Sequence, residues 1–229
     1  MRHLLTGTML LIAAAGCHES ATSDHAAGRS AMPPSNAAAV AAPVKVGTNP
    51  GHVGKGVPLV AEAGHELGAF AAGCFWGVED AFRRVPGVTA TAVGYTGGHT
   101  SEPTYAQVCE HDTGYAETVL VEFDPQRVSY GRLLDIFFEI HDPTTLNSQG
   151  PDYGDQYRSA IFTQSPAQEQ AARAAMARAQ KKQSDKIVTQ ITPLKPFYRA
   201  EDYHQQYAER TGSHGCPIRN FSPEGSASL

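Results

Sequence analysis

The chain has 229 residues, of which 41% are hydrophobic and 18% charged, a balance that is typical of a soluble globular protein. Its formal net charge is −5, and it contains no extended cluster of lysine and arginine. We therefore exclude a nucleic-acid-binding protein, because such proteins carry a basic surface that faces the phosphates.

The first 17 residues have the layout of a secretory signal. MRHLLTGTMLLIAAAGC has a basic start, an apolar run and a small-residue end. The apolar run is too short to span a bilayer. Cys17 follows Ala14-Ala15-Gly16, which resembles the lipobox of bacterial lipoproteins, although Ala14 stands where leucine is usual. For residues 1–17 we expect a lipoprotein signal with lipidation at Cys17, and the alternative is ordinary signal cleavage.

Residues 18–64 are dominated by Ala, Gly, Pro, Ser and His and contain almost no large apolar side chains. Such a segment buries too little surface to offset the entropy of folding. We predict a flexible tether over residues 18–64 and a catalytic domain over residues 65–229. A tether of this length has a typical end-to-end distance of roughly 35 to 40 Å. An exported protein of the bacterial cell envelope or periplasm, anchored through Cys17, is the expected location.

From Leu67 onward, short apolar runs alternate with amphipathic stretches. In chain order, the sequence predicts a strand in LGAFAAG, a helix in FWGVEDAFRRV, strands in VTATAVGYT and AETVLVEF, a helix in SYGRLLDIFFEIH capped by Ser129, a strand in RSAIFT, a helix that begins with a capping box at Ser165 and ends near Gln183, and a strand in KIVTQIT. This order predicts a two-layer α+β fold: a ferredoxin-like split βαβ core with a mixed sheet, an added helix and strand, and an irregular C-terminal tail.

Cys74 lies in GCFWGVEDAF, at the predicted junction between the first strand and the first helix. The first amides of a helix have no partner within the helix, and together with the helix dipole they favour an anion. A thiol at this position therefore favours the thiolate, which is the nucleophilic form. The alternative is a small, buried and unreactive cysteine.

Glu117 is the second candidate for chemistry. In AETVLVEF, alternation puts Glu117 on the same face of the strand as Val119, Val121 and Phe123. If this face packs on the core, burial raises the pKa of the carboxyl, which then stays protonated near neutrality and can donate a proton. The alternative is a carboxylate at the strand end that reaches solvent.

Five sequence blocks resemble the peptide methionine sulfoxide reductase A family in their order and separation: GCFWGVE, GYTGG, PTYAQVC, TGYAE and DYGDQYRS. The resemblance extends from about Leu67 to Cys216. It implies a peptide-methionine (S)-S-oxide reductase, which reduces free or protein-bound methionine sulfoxide with electrons from thiols and without a metal or organic cofactor. The chemistry agrees, because a sulfoxide sulfur becomes electrophilic when its oxygen is protonated or hydrogen-bonded.

The resemblance implies a role for each matching residue. Cys74 attacks the sulfoxide sulfur, and Glu117 protonates the departing oxygen. Tyr105 and Tyr157 hydrogen-bond that oxygen, with Asp152 nearby in the same family pattern.

Phe75 and Trp76 match the family's aromatic wall, which receives the methyl group of the substrate. Cys216, in SHGCP, aligns with the resolving cysteine, and this sequence has no further cysteine after it. Because a sulfenic acid condenses with a second thiol, we expect a Cys74–Cys216 disulfide that a thioredoxin-like partner reduces. We also expect a monomer.

Several other residues carry weaker signals. Cys109 and His111 suggest a metal site, but no second pair of ligands has zinc spacing, so an idle or buried thiol is the preferred interpretation. For His204 and His214 we expect packing or solvent-facing roles. Tyr115 stands where the family usually has histidine, and by alternation it shares the face of Glu117.

Two other classes of function remain open. A thiol peroxidase or a disulfide-exchange protein would use the same Cys74 and Cys216, although peroxide requires no pocket for a methyl group. A non-catalytic lipoprotein that binds oxidised peptides would not need the Cys74 thiol. A cysteine hydrolase is disfavoured, because no histidine is predicted to adjoin Cys74.

Overall fold

The computed structural model describes residues 45–52, 59–213 and 218–219. Its strands are β1 Glu66–Ala72, β2 Val88–Thr96, β3 Ala116–Phe123, β4 Ser148–Gln149, β5 Asp152–Tyr153, β6 Ser159–Thr163, β7 Gln190–Pro193 and β8 Tyr198–Arg199. Its helices are α1 Phe75–Arg83, α2 Tyr105–Cys109, α3 Tyr130–Ile140, α4 Pro166–Gln180 and α5 Tyr207–Thr211, with short 3₁₀ helices at Pro50–His52 and Asp155–Tyr157.

Six of the strands form one sheet in the spatial order β7-β6-β1-β3-β2-β8, and β4 and β5 form a separate hairpin. In the first split βαβ unit, α1 connects β1 to β2 with β3 between them. In the second, α3 connects β3 to β6 with β1 between them. These four strands pair antiparallel, whereas β7 follows α4 and is parallel to β6. The predicted α+β fold, with its ferredoxin-like core, mixed sheet and added helix and strand, is confirmed.

Aromatic packing holds α1 and α3 on one face of the sheet. The ring centroid of Phe70, in β1, lies 4.9 Å from that of Phe82 in α1 and 5.9 Å from that of Phe137 in α3. All three side chains are fully buried, and each such burial stabilises the fold by about 1.5–3 kcal/mol. The position of α1, which begins next to Cys74, therefore depends on the core.

The predicted helix caps are present. The Ser129 hydroxyl accepts the amide of Arg132 at 3.1 Å, and the Ser165 hydroxyl accepts the amide of Gln168 at 3.2 Å. The second half of the capping box differs from the prediction, because the Gln168 side chain accepts the amide of Gln164 at 3.0 Å and not that of Ser165.

The described residues before β1 pack on the domain, which corrects the predicted tether. Gly47 forms a parallel bridge with Ala90 of β2, and its carbonyl accepts a hydrogen bond from the Arg83 guanidinium at 2.9 Å. The amide of Gly51 donates to the buried carboxylate of Glu122 at 2.7 Å. Composition could not reveal these backbone contacts, because they need no large apolar side chain. Of the predicted tether at 18–64, residues 45–52 and 59–64 therefore belong to the folded domain.

The predicted irregular C-terminal tail contains the short elements β8 and α5 in its described part. Cys17 and Cys216, the predicted lipidated and resolving cysteines, lie outside the described residues. Within the described ranges, no helix combines the length and apolar character needed to cross a bilayer.

Candidate active site

The turn between β1 and α1 fixes the position of Cys74. β1 ends at Ala72, and Gly73 follows with a φ of 97°, a conformation that favours glycine. A Cβ atom at Gly73 would also lie 2.7 Å from the side chain of Gln149 in β4. Cys74 is thereby placed, partly exposed, at the N-cap of α1, where the helix dipole favours an anion. The predicted strand-to-helix junction is confirmed.

Glu117 lies on β3 opposite Tyr95 of β2 and is only 2% exposed. Its Oε2 accepts the backbone N–H of Phe75, the residue after Cys74, at 3.0 Å. Burial raises the pKa of Glu117 to about 8; the Phe75 amide lowers this pKa, and the charge of Asp152 raises it. At neutral pH the carboxyl is therefore mostly protonated, and it contacts the backbone next to the thiol.

Alternation along β3 places Glu117 on the face that the helices cover. Val119 and Phe123 belong to the core cluster that includes residues of α1 and α3, as predicted. Ala116 and Leu120 pack in a second cluster on the opposite face, against residues that include the segment before β1. Both faces of β3 are buried, and this is why the carboxyl of Glu117 loses its solvent.

Two tyrosines share the electrostatic environment of Glu117. Burial raises the pKa of Tyr157 above its usual range, and the charges of Glu117 and Cys74 are among the further causes. Burial also raises the pKa of Tyr105, with a hydrogen bond to Cys109 and the charge of Glu117 as further causes. Both phenols therefore keep their protons at physiological pH and can donate hydrogen bonds.

The β4-β5 hairpin brings Asp152 close to the turn before Cys74 and to Glu117 and Tyr157. Asp152 pairs with Gln149, which packs against Gly73 at the turn before the thiol. The charge of Asp152 raises the pKa of both Glu117 and Tyr157. The 3₁₀ helix that contains Tyr157 follows the hairpin directly, so one loop region supplies both predicted residues.

Phe75 and Trp76 form the start of α1. The buried Phe75 ring lies 5.9 Å from that of Tyr95 and 5.1 Å from that of His204. Trp76 is half-buried and stacks on Tyr207, with ring centroids 3.9 Å apart and 7° between the planes. The two residues predicted to form an aromatic wall thus follow Cys74 directly and are held by other aromatic rings.

Sequence interpretation missed Glu201. Its Oε1 accepts the amide of Tyr105 at 2.9 Å, and its Oε2 accepts the hydroxyl of Tyr95 at 3.0 Å. Together with a capping box formed by Thr104 and Gln107, Glu201 fixes the start of α2 and so the position of Tyr105. Glu201 follows β8 outside any periodic pattern, so sequence periodicity gave no signal for it.

Tyr115 supports a neighbouring loop. Its hydroxyl donates to the carbonyl of Thr100, and its ring meets that of Tyr198 edge-on, with centroids 5.9 Å apart. A Cβ atom at Gly98 would collide with the Tyr115 ring at 2.4 Å. The hydrogen bond from the Tyr115 hydroxyl therefore holds the 97–100 loop.

Cys109 is in the thiol form, and burial raises its pKa. Among the described residues, the one group of three metal-ligand side chains with atoms within 4.8 Å is Glu62, His65 and Glu122, which does not include Cys109 or His111. The geometry therefore gives no support to a metal site at Cys109.

The residues brought together have complementary chemistry. A thiol at a helix N-terminus can act as a nucleophile, and a protonated carboxyl with two phenols can neutralise an oxygen that becomes negatively charged. The adjacent aromatic side chains offer an apolar contact for a small alkyl group. This combination suits the reduction of a polarised S=O bond.

Comparison with known proteins agrees with this chemistry. The family model for peptide methionine sulfoxide reductase matches residues 66–226. Peptide methionine sulfoxide reductase MsrA of Methanosarcina acetivorans is 58% identical over 160 residues, which cover 69% of this chain and 85% of that protein. Peptide methionine sulfoxide reductase A2 of Arabidopsis thaliana is 55% identical over 152 residues, which cover 66% of this chain and 70% of that protein.

Solved structures show the same similarity. Mxr1 of Saccharomyces cerevisiae in its reduced form gives a TM-score of 0.66 at 39% identity, covering 69% of this chain and 94% of that one. Methionine sulfoxide reductase A of Corynebacterium diphtheriae gives 0.66 at 36% identity, covering 76% of this chain and 90% of that one. The chain belongs to the peptide methionine sulfoxide reductase A family.

Proposed function

We propose that this chain is a peptide-methionine (S)-S-oxide reductase, which reduces the S epimer of free or protein-bound methionine sulfoxide to methionine through Cys74. Its family membership supports this activity. The observation that carries the proposal is the buried Glu117 carboxyl, whose pKa of about 8 keeps it protonated and which hydrogen-bonds the residue after Cys74.

In the first step, the Cys74 thiolate attacks the sulfoxide sulfur. Glu117 gives its proton to the sulfoxide oxygen, and the hydroxyls of Tyr105 and Tyr157 hydrogen-bond that oxygen as its charge grows. The oxygen ends on the Cys74 sulfur as a sulfenic acid, so the thiol loses the two electrons that the methionine sulfur gains. Asp152, which raises the pKa of Glu117, helps to keep the acid protonated before the reaction.

The substrate methyl group occupies the space beside Phe75 and Trp76. Aromatic side chains bury a large apolar area, and their rings are held here by Tyr95, Tyr207 and His204. A rigid pocket favours a small methyl group over a longer alkyl chain, because each extra methylene in such a site changes binding by about 1–3 kcal/mol.

In the second step, the thiol of Cys216 attacks the Cys74 sulfenic acid, water leaves, and a disulfide forms. A thioredoxin-like dithiol then reduces this disulfide and is itself oxidised. Cys216 lies outside the described residues, so its role is supported by its place in SHGCP and by the family resemblance.

The proposed cellular role is the repair of oxidised exported proteins. The signal-like segment 1–17, with Cys17 as a lipidation site, supports a location in the bacterial cell envelope or periplasm. A monomer anchored in this way would meet its protein substrates and its reductant outside the cytoplasm.

A single-turnover experiment tests the function. The reduced protein is mixed with one equivalent of methionine S-sulfoxide without reductant, and its products are measured by mass spectrometry. We expect one equivalent of methionine and a Cys74–Cys216 disulfide. Absence of methionine would contradict the enzymatic function. Hydrogen peroxide serves as the competing substrate, and faster oxidation of Cys74 by peroxide than by the sulfoxide would favour the thiol peroxidase.

A further inference from the structure

His204 lies at the centre of the aromatic residues behind the site. It is 1% exposed and belongs to the turn between β8 and α5, where its amide donates to the carbonyl of Glu201 at 2.9 Å. Its ring lies 4.6 Å from Tyr105, 5.1 Å from Phe75 and 5.6 Å from Trp76, measured between centroids. One buried imidazole thus touches a predicted oxygen-binding residue and both predicted methyl-binding residues.

A hydrogen bond fixes the protonation state of this imidazole. The indole Nε1–H of Trp76 donates to Nδ1 of His204 at 3.0 Å. Because an indole nitrogen is a donor only, Nδ1 must be an unprotonated acceptor, and the proton of the neutral ring must be on Nε2. Nε2 is buried without a hydrogen-bond partner in the described structure, with a Glu201 oxygen 3.9 Å away.

The turn that carries His204 is itself anchored to the scaffold. The side chain of Gln205 accepts the amide of Val93 in β2 and donates to the Val93 carbonyl, both at 2.9 Å. The amide of Gln206 donates to the buried carboxylate of Glu79 in α1 at 2.8 Å. The two residues that follow His204 are therefore tied by hydrogen bonds to β2 and α1, which limits any shift of the imidazole.

We propose that His204 is a positioning residue for Trp76, and that its unprotonated Nδ1 holds the indole in the orientation that forms the methyl-binding wall. This inference rests on the proposed function, since the wall matters through the substrate methyl group. Tyr207 holds the face of the same indole by stacking, whereas His204 determines the direction of its N–H edge.

Protonation of His204 would remove the acceptor and bring two N–H groups face to face. Burial lowers the pKa of His204, and the nearby charge of Glu201 opposes this change. The other titratable groups that face the ring are Tyr105, from α2, and Tyr203, whose pKa values are both raised, so both are neutral in acid. The bond to Trp76 is therefore present at neutral pH and is lost as the pH falls below the usual histidine range.

Two substitutions at His204 test the hydrogen-bond acceptor and the aromatic ring separately. His204→Asn keeps a short side chain whose amide oxygen can take the place of Nδ1, and His204→Phe keeps an aromatic ring without any acceptor. Circular dichroism checks that both variants fold. Trp76 is the only tryptophan of the chain, so tryptophan fluorescence reports on the surroundings of this one indole.

In the fluorescence experiment, the wild-type emission should change in a single transition below pH 6.5, and the transition should be absent in both variants. A wild-type protein without a transition, or a variant that retains it, would overturn the proposal. The fluorescence measurement needs no turnover, so its outcome is independent of the proposed function. The proposed function is tested separately, by the release of methionine from the wild type.

Kinetics supply the second readout. Loss of a buried hydrogen bond predicts that His204→Phe raises the KM for methionine sulfoxide by about 5- to 30-fold, with a change of less than about threefold in the rate of the first turnover. His204→Asn should restore most of the KM. The ratio of activity on methionine sulfoxide to that on ethionine sulfoxide should fall in His204→Phe. Equal KM values and equal ratios in the wild type and His204→Phe would overturn the proposal.

Discussion

Replacement of Glu117 by glutamine removes the acidic proton and leaves nearly the same shape. The amide oxygen of the variant can still accept the Phe75 N–H, so the contact to α1 should persist. A positioned general acid contributes typically 10²- to 10⁴-fold to a rate, and we expect the first-turnover release of methionine at pH 7 to fall by roughly this factor. Rapid-quench measurement of methionine gives this rate without the thioredoxin-like reductant.

The pKa of Glu117 also predicts the alkaline limb of the pH profile. In the wild type, the protonated fraction falls as the pH rises through about 8, so the rate of methionine release should decline above this value. The Glu117→Gln variant has no proton to lose at this position, and its residual rate should show no such decline.

The same group makes stability depend on pH. The folded-state pKa of about 8 is above the ordinary value of 4.5, so the proton favours the folded state; this stabilisation is complete below pH 4.5 and is lost as the pH rises through 8. At about 1.4 kcal/mol per pKa unit, the full effect is at most about 5 kcal/mol, of which about 3 kcal/mol fall between pH 5.5 and 9.5. The Glu117→Gln variant should not show this loss. In urea unfolding, its free energy of unfolding should therefore rise by about 3 kcal/mol relative to that of the wild type between pH 5.5 and 9.5.

Glu122 provides a matched control on the same strand. Like Glu117, it is 2% exposed in β3, but it points to the opposite face, where it accepts the Gly51 amide. Glu122→Gln should therefore release methionine at the wild-type rate. The reasoning is refuted if Glu117→Gln reacts as fast as Glu122→Gln at pH 7, or if the alkaline decline persists without the Glu117 carboxyl.

Three further predictions address the thiol, a phenol and the segment before β1. Cys74→Ser should retain the circular dichroism spectrum but release no methionine; release by this variant would exclude Cys74 as the nucleophile. Tyr157→Phe should slow the first turnover by roughly 10- to 100-fold, because it removes one donor to a charged oxygen, and an unchanged rate would separate Tyr157 from the reaction. Deletion of residues 1–52 should lower Tm by about 5–10 °C relative to deletion of residues 1–44, since Arg83 and Glu122 lose buried partners; equal Tm values would show that these contacts contribute little.

The core of the fold could be predicted because local patterns and topology agree. Alternation in AETVLVEF identified the face of β3 that carries Glu117, and Ser129 and Ser165 mark helix starts through bonds that span three residues. Once these elements were assigned, a chain of strands and helices in this order has few ways to pair its strands. Residues 45–52 and 59–64 were misjudged because they join the domain mainly through backbone hydrogen bonds and a few small apolar contacts, such as those of Val46 and Leu59, which composition does not reveal.

The sequence by itself determined the fold class, the thiol at a helix N-terminus and, through the resemblance, the residues that belong near it. These features depend on short-range periodicity, on capping and on motifs a few residues long. Only the tertiary structure decided that Glu117 loses its solvent, that Glu201 fixes Tyr105 and that His204 accepts the Trp76 indole. The hydrogen bond of the Glu117 carboxyl to the Phe75 amide and the tautomer of the His204 imidazole depend on groups 42 and 128 residues apart in the chain, and only the folded packing brings these together.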